Sequence, residues 1–224
     1  MWKVSKDGHV LWIFGTYSPL PIKMDWRSHE VEAVIKRSQE YLAPPVSKIE
    51  TSYFQMALAL PSLIGINRNP DDATLRDVLP AEVYARWLPL KEKYLPRNEE
   101  RDRPIFVANE LFSAAMKQAG LTTSTDVRKQ VEKMVDQNKL KLTRTVNELK
   151  LDNPRRLIKD FKKSPIDDVA CFSNTLKRLE TDIEAMRVRA NAWAKGDIEA
   201  IRKLDFNEQE SCSNAIRNSA VLRE

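Results

Sequence analysis

The first strong pattern in the chain is a run of five large apolar residues, Val10–Phe14, that ends at Gly15. Asp7-Gly8 separates this run from Lys3–Lys6, and the dipeptide supplies the two positive-φ positions of a type I′ turn. The pattern therefore predicts a β-hairpin over Lys3–Lys6 and His9–Trp12. Because Val10–Phe14 has no polar face, we expect this strand to be covered on both sides and to open into a functional loop.

After this loop, apolar residues recur mainly at helical spacing. The first helix is predicted to extend to about Gln39, with Trp26, Val31, Val34 and Ile35 on one face. Further helices are predicted over Glu50–Leu63 with a break at Pro61, from Leu79 with a kink or end at Pro89, from Pro104 to Gly120, and through Val127–Val135 after a cap at Ser124 or Thr125.

Two other segments have strand character. Tyr41–Ala43 is predicted as a short strand that Pro44-Pro45 cuts, because proline donates no backbone hydrogen bond. Leu140 and Leu142 alternate with polar residues, which predicts a half-buried strand.

The longest predicted helix starts near Ser164, a suitable cap, and stops at Gly196. Its acidic first turn, Asp167-Asp168, suits the helix dipole. Apolar side chains follow at three- and four-residue steps: Val169, Phe172, Leu176, Leu179, Ile183, Met186, Ala190 and Trp193. This stripe predicts an intramolecular packing face or a dimer seam, so we expect a monomer or a homodimer.

Together these elements predict an α+β fold that is predominantly α-helical. It comprises a small sheet with an N-terminal hairpin, covered by helices, and a long C-terminal helix that two shorter helices, Asp197–Leu204 and Glu208–Glu224, follow. A chain of 224 residues can bury one sizeable core, so we expect a single domain over residues 1–224. Residues 1–163 would form its mixed α/β part and residues 164–224 its helical part.

Charge and hydropathy narrow the class of partner. No window is apolar for about eighteen residues, which argues against a transmembrane segment. The 37 basic and 32 acidic residues give a net charge of +5. Basic residues cluster between Arg128 and Lys163, but Phe161 is the only aromatic residue there, so we expect a solvated basic face and no nucleic-acid partner.

Few residues suit catalysis or metal binding. Neither His9 nor His29 has a partner at a recognised metal-ligand spacing, so both are expected on the surface. Asp25, His29 and Glu32 could share one helical face and hold a divalent metal, although an exposed helix has the same pattern. Ser18 follows the first apolar strand, where a nucleophile could lie, or it satisfies backbone groups of the loop.

Several N-terminal motifs carry a resemblance: Trp2-Lys3-Val4-Ser5, Leu11–Thr16 and Pro19-Leu20-Pro21. They resemble the opening of the TraB/GumN family, which includes metal-dependent peptidases. The family's loop reads Gly-Thr-x-His, whereas Ser18 stands here at the fourth position. The resemblance makes Gly15, Thr16 and Tyr17 a binding loop, and Asp168–Trp193 is similar to the family as well.

Other family positions are also changed. Relatives place an acidic residue after their second strand, where this chain has Leu42-Ala43-Pro44-Pro45. Glu148 lies near the place of a glutamate common in the family, so Ser18 and Glu148 are the catalytic candidates. Relatives carry a second Gly-x-x-His near the C-terminus, and the sequence to Glu224 has none. The resemblance therefore favours a non-catalytic relative that binds a peptide, protein or polymer, with a metal-dependent hydrolase as the alternative.

The family resemblance also implies a compartment. Many bacterial relatives are exported, so we expect a periplasmic or secreted protein of the bacterial cell envelope whose leader is removed or lies outside this sequence. In an oxidising compartment, Cys171 and Cys212 would form a disulfide; in a reducing cytosol both would be buried thiols.

Overall fold

Helices dominate the computed structural model, which describes residues 1–123, 126–163, 168–203 and 212. The prediction of a predominantly helical α+β fold is confirmed. The described helices are α1 (Ser28–Ile35), α2 (Tyr53–Ala59), α3 (Leu75–Val78), α4 (Ala81–Tyr94), α5 (Pro104–Gln118), α6 (Asp126–Gln137), α7 (Pro154–Lys163), α8 (Asp168–Thr181), α9 (Ile183–Lys195) and α10 (Ile198–Arg202). The described strands are β1 (Trp2–Lys6), β2 (His9–Ile13), β3 (Leu20–Pro21), β4 (Glu40–Glu50), β5 (Leu121–Thr122) and β6 (Lys141–Lys150).

The N-terminal hairpin forms as predicted. β1 and β2 pair antiparallel, with Lys6 opposite His9 and Trp2 opposite Ile13. Asp7 and Gly8 both have positive φ, 49° and 78°, as a type I′ turn requires.

The predicted burial of Val10–Phe14 is wrong. β1 and β2 form a two-stranded sheet of their own within the described residues, and Val10, Leu11 and Ile13 are each about half exposed, at 50%, 47% and 46%. The prediction of one small sheet is corrected as well. The described strands form three separate pairs, β1–β2, β3–β5 and β4–β6. An apolar run shows only that a strand is suited to burial. Whether the strand is buried depends on the elements that pack against it.

One compact unit comprises residues 1–48, 121–148 and 186–204. Its core joins α1, α6 and the second part of α9 through Val31, Ile35, Val131, Val135 and Ala190. The predicted burial of Trp26, Val31, Val34 and Ile35 is confirmed. The helix itself is shorter than predicted, because α1 begins after Trp26 and ends before Gln39.

A long two-stranded ribbon is formed by β4 and β6. Lys141, which begins β6, pairs with Glu40 at the start of β4, and the backbone N–H of Leu151 donates to Glu50 at the end of β4. The strands therefore run in the same direction. Two predictions are corrected here: β4 continues through Pro44-Pro45, and β6 is exposed along its whole length.

A second compact unit comprises residues 49–120, 149–185 and 205–224, of which Cys212 is the described part of the last segment. Its core contains Trp87 of α4, Leu111 of α5, and Phe172 and Leu176 of α8, all with no exposed surface. The rings of Trp87 and Phe172 meet edge to face at 5.5 Å.

Prolines shape two helices of this unit. α2 ends at Ala59, and a 3-10 turn with Pro61 follows over Leu60–Leu63, close to the predicted break. α4 continues through Pro89 to Tyr94, so the alternative in which Pro89 ends the helix early is wrong. Pro89 has no N–H to donate to the carbonyl of Ala85. Both residues are exposed, so water can donate a hydrogen bond to that carbonyl instead. α5 begins at Pro104 and Gly120 follows its end with a φ of 70°, as predicted.

The predicted C-terminal helix is divided at Asp182 into α8 and α9. Its apolar stripe is buried at Phe172, Leu176, Leu179, Met186 and Ala190. Asp197 caps α10, which confirms the start of the next helix. The predicted caps at Ser124, Thr125 and Ser164, Asp167 in the predicted first turn, and the helix over 208–224 fall outside the described residues, except for Cys212.

Cys171 and Cys212 form a disulfide, with their Cα atoms 4.5 Å apart. The pairing is the one that the family resemblance implied. In the described part of the chain, no helix combines the length and apolarity needed to cross a bilayer.

Candidate functional site

The loop that follows β2 rests on three aromatic rings of the first unit. Phe14 stacks on Trp26 at 5.6 Å between centroids, and Trp193 lies 5.9 Å from Phe14 and 5.8 Å from Trp26. The chain re-enters the core at Pro19 and Leu20, which are buried. This arrangement holds both ends of the loop and leaves its middle, Gly15 and Thr16, exposed.

Hydrogen bonds fix the same loop in place. The indole N–H of Trp193 donates to the carbonyl of Gly15 at 2.9 Å, and that of Trp26 donates to Gln130 at 2.8 Å. A Cβ atom at Gly15 would lie 3.0 Å from the ring of Trp2. A larger residue at Gly15 would therefore require the half-exposed Trp2 ring to shift by a few tenths of an ångström.

Beside the loop, the hairpin presents an apolar face. Trp2, Val4, Leu11 and Ile13 share one side of the β1–β2 pair and are about half exposed, between 46% and 53%. We call these four residues the hairpin face. Trp12 lies on the other side, where the Arg37 guanidinium sits 4.8 Å and the Lys3 ammonium 5.8 Å from its ring.

The outer edge of β2 has backbone groups without a neighbouring strand in the described chain. In a hairpin with a two-residue turn, the pair that flanks the turn is hydrogen-bonded and the pairs alternate from there. Lys6–His9 and Val4–Leu11 are then the hydrogen-bonded pairs. Val10 and Trp12 consequently direct their N–H and C=O groups away from β1, where an additional strand could accept and donate.

The two catalytic candidates lie far apart in the chain and in different settings. Ser18 is exposed in the loop, and its hydroxyl makes no hydrogen bond to any described residue that could act as a base. Glu148 is exposed on β6, inside the strand and not after it. Among the residues that the structure describes, none therefore acts as the hydrogen-bonded base that a serine nucleophile at Ser18 requires.

The three metal candidates lie around the start of α1. Asp25 and His29 are exposed, and Glu32 pairs with Lys36 at 2.8 Å. His9 is exposed in the hairpin, so both histidines lie on the surface as predicted. Among the residues that the structure describes, no three His, Cys, Asp or Glu side chains gather as a metal ion would need, and this includes Asp25, His29 and Glu32.

At the start of the β4–β6 ribbon, the carboxylate of Glu40 has a lowered pKa. The Thr143 hydroxyl and the Lys141 ammonium both donate to Glu40 and hold its pKa below the ordinary value. Burial raises the pKa of the neighbouring Tyr41, and the charge of Glu132 raises it further. These shifts follow from ion pairing and packing, so they do not mark a catalytic acid or base.

The basic cluster between Arg128 and Lys163 is divided among several local ion pairs. Arg128 and Arg144 both contact Glu132, at 3.1 and 3.0 Å, and Arg156 contacts Asp160 at 3.4 Å. Arg128, Arg144 and Arg156 therefore have acidic partners within their own part of the chain.

Sequence reasoning missed the aromatic anchor of the loop and the open edge of β2. The sequence pattern places Trp26 and Trp193 on separate helix faces. Nothing in the local sequence indicates that two residues so far apart in the chain are in contact. The register of the hairpin, by contrast, could have indicated which residues of β2 face outward.

Comparison with known proteins identifies the family. The model of the TraB/PrgY/gumN family matches residues 1–223, so the chain belongs to this family. Neither a curated protein nor a solved structure gives a significant match.

Proposed function

We propose that this member of the TraB/PrgY/gumN family is a non-catalytic binding protein that takes up an extended peptide or protein segment along the outer edge of β2. The observation that carries the proposal is a strand with outward-facing backbone groups at Val10 and Trp12 next to an exposed apolar face. Addition of a strand to an open sheet edge supplies main-chain hydrogen bonds, and neighbouring side chains supply specificity.

The two edges of the hairpin differ in a way that favours β2. β1 carries Lys3 and Lys6, and lysine on an edge strand discourages pairing with a further strand. β2 reads His-Val-Leu-Trp-Ile and has no charged side chain of this kind. The loop Gly15–Tyr17 follows β2 after Phe14, and its residues Gly15 and Thr16 are exposed.

The alternative, a metal-dependent hydrolase of the TraB type, needs about three protein ligands and an open position on the metal. Ser18 occupies the position of the family's loop histidine, and its side chain is a poor ligand for zinc. Asp25, His29 and Glu32 do not gather into a site. These two observations favour binding over catalysis.

A periplasmic or secreted location is part of the proposal. The Cys171–Cys212 disulfide supports it, because such bonds persist in oxidising compartments.

Selection from a display library of twelve-residue peptides tests the binding function. We expect enriched peptides to alternate apolar and polar residues, since a strand beside β2 would place every second side chain on the hairpin face. Val10→Pro removes an outward N–H from β2 and should weaken the selected peptide at least about tenfold.

Ser5→Pro is the matched control, because Ser5 faces Val10 in the register and directs its N–H to the opposite edge. It should leave affinity within about twofold. Equal losses in both variants would count against the β2 edge. Hydrolysis of peptides with added divalent ions, abolished by His29→Ala, would establish the enzymatic alternative instead.

A further inference from the structure

The second unit has a helix whose buried and exposed faces are reversed. Along α2 and its 3-10 turn, the residues with the least exposure are small or polar: Gln55, Ala59 and Ser62. Large apolar side chains point to solvent instead, with Tyr53 97%, Phe54 71% and Ile64 78% exposed. A helix at the surface of a globular protein normally buries its large apolar residues and exposes the polar ones.

The exposed side chains lie close together along one segment of the chain. They are Tyr53, Phe54, Met56, Leu58, Leu60, Leu63 and Ile64, which we call the apolar ridge. The segment from Thr51 to Asn67 contains no charged residue. Scattered apolar residues are common on surfaces, but a contiguous group of this size marks an interaction site.

A cationic helix runs beside the apolar ridge. α7 packs against α2, and Leu151, just before α7, is hydrogen-bonded to Glu50, just before α2. At the other end, the Lys162 ammonium donates to the carbonyl of Ile64. The two elements therefore lie side by side in the same direction, and one cation of α7, Lys162, contacts the backbone at the end of the apolar ridge.

The exposed side of α7 is rich in positive charge. Among residues 154–162, the exposed side chains are Arg155, Arg156, Lys159 and one acidic residue, Asp160. Leu157, Ile158 and Phe161 are half-buried, and Phe161 packs edge to face on Phe106 at 6.3 Å. Arg155, Arg156 and Lys159 line a depression of about 350 Å³ together with Asn153 and Asp160.

We propose that the apolar ridge and α7 together form a docking surface for an anionic lipid bilayer. Apolar and aromatic side chains that enter the headgroup region, flanked by arginine and lysine, are the combination that binds a protein to the surface of a membrane. Charge complementarity selects this occupant, because a second copy of the chain would bring the same cations against one another. The surface belongs to the second unit and does not depend on the binding function of the hairpin.

Sedimentation with vesicles tests the proposal on the full chain. Vesicles of about 30% phosphatidylglycerol in phosphatidylcholine should bind the protein at low salt, and pure phosphatidylcholine should bind it much less. Arg155→Gln with Lys159→Gln should reduce partitioning about 30-fold, since each cation near the surface contributes about fivefold. Phe54→Ser with Ile64→Ser should reduce it at least about tenfold.

Matched control variants distinguish binding through this surface from binding that depends only on net charge or on any exposed apolar residue. Lys129→Gln with Lys133→Gln removes the same charge from exposed positions on α6, and Leu88→Ser removes an exposed apolar side chain from α4. Both should leave vesicle binding within about twofold. Inorganic phosphate at millimolar concentration should not displace the protein, because a bilayer offers the apolar phase as well as the headgroup.

Three results would overturn the proposal. One is equal binding to anionic and neutral vesicles, and another is equal loss in the control variants. The third is a dimer in sedimentation equilibrium that Phe54→Ser with Ile64→Ser converts to a monomer, because the apolar ridge would then be covered by a second copy. Val10→Pro in β2 should not change vesicle binding, so this test is independent of the peptide-binding proposal.

Discussion

At the scale of single residues, the most constrained pair of charges is Arg103 and Asp168 in the second unit. Their side chains are only 6% and 11% exposed, and two hydrogen bonds of 2.9 and 3.3 Å join the guanidinium to the carboxylate. Arg103 also donates to the carbonyl of Phe161 and lies over its ring at 5.2 Å. This pair fixes the start of α8 against the N-terminus of α5.

Removal of the Asp168 carboxylate should strongly destabilise the protein. In Asp168→Ala, the buried guanidinium loses its counter-charge, and breaking such a pair typically lowers the free energy of unfolding by about 3–5 kcal/mol. Chemical denaturation measures the change. Glu180→Ala is the control on the same helix, because its pair with Arg86 is about one-third exposed and should contribute less than about 1 kcal/mol. Similar losses of unfolding free energy in Asp168→Ala and Glu180→Ala would contradict the prediction that the buried ion pair stabilises the protein more than the exposed one.

Glu100 gives a prediction for the pH dependence of stability. Burial alone would raise the pKa of Glu100, but hydrogen bonds from Lys91 and Tyr84 outweigh burial and lower it below 4.5. A carboxylate with a lowered folded-state pKa stabilises the protein above its unfolded value and loses that contribution as the pH falls through the folded value. The stability difference between the native chain and Glu100→Gln should therefore shrink from about pH 6 to about pH 3. Parallel stability curves for the two proteins would contradict this.

At the scale of elements, the local signals were the most reliable. Asp7-Gly8 determines its hairpin through backbone conformation alone, and Pro104 and Gly120 determine the ends of α5 in the same way. The exposure of Val10–Phe14 and of the apolar ridge could not be read from the sequence. Both segments are apolar, so their sequences suit burial. Whether another element covers each segment depends on residues that are distant in the chain.

Pro89 provides a test of how a helix tolerates an interior proline. In α4 the proline leaves the carbonyl of Ala85 without a donor, and both residues are exposed. Pro89→Ala should restore that hydrogen bond and raise the free energy of unfolding by about 1–3 kcal/mol. Thermal or chemical unfolding measures the gain. Pro96→Ala, just beyond the helix, should give no gain. A loss of stability in Pro89→Ala would show that the packing of Trp87 and Leu90 requires the proline.

At the scale of the whole molecule, the family assignment and the chemistry of the site point in different directions. The family model extends over residues 1–223. The resemblance nevertheless expects a histidine where Ser18 stands and an acidic residue where the chain has Leu42-Ala43-Pro44-Pro45. The helical spacing of the apolar residues predicted the fold class. Only the three-dimensional arrangement shows that no described strand pairs with the outer edge of β2 and that α7 lies beside the apolar ridge, since neither fact has a local signal in the sequence.

The Cys171–Cys212 disulfide is the strongest constraint on the chain as a whole, since its cysteines are 41 positions apart. Closure of a loop of this length should stabilise the protein by about 4 kcal/mol by restricting the unfolded chain. The double variant Cys171→Ser with Cys212→Ser should lose that amount in chemical denaturation, and the reduced native chain should lose a similar amount. Unreduced protein should show no reactive thiol after denaturation. Two reactive thiols would mean that the cysteines are unpaired and would remove the main physical support for an oxidising compartment.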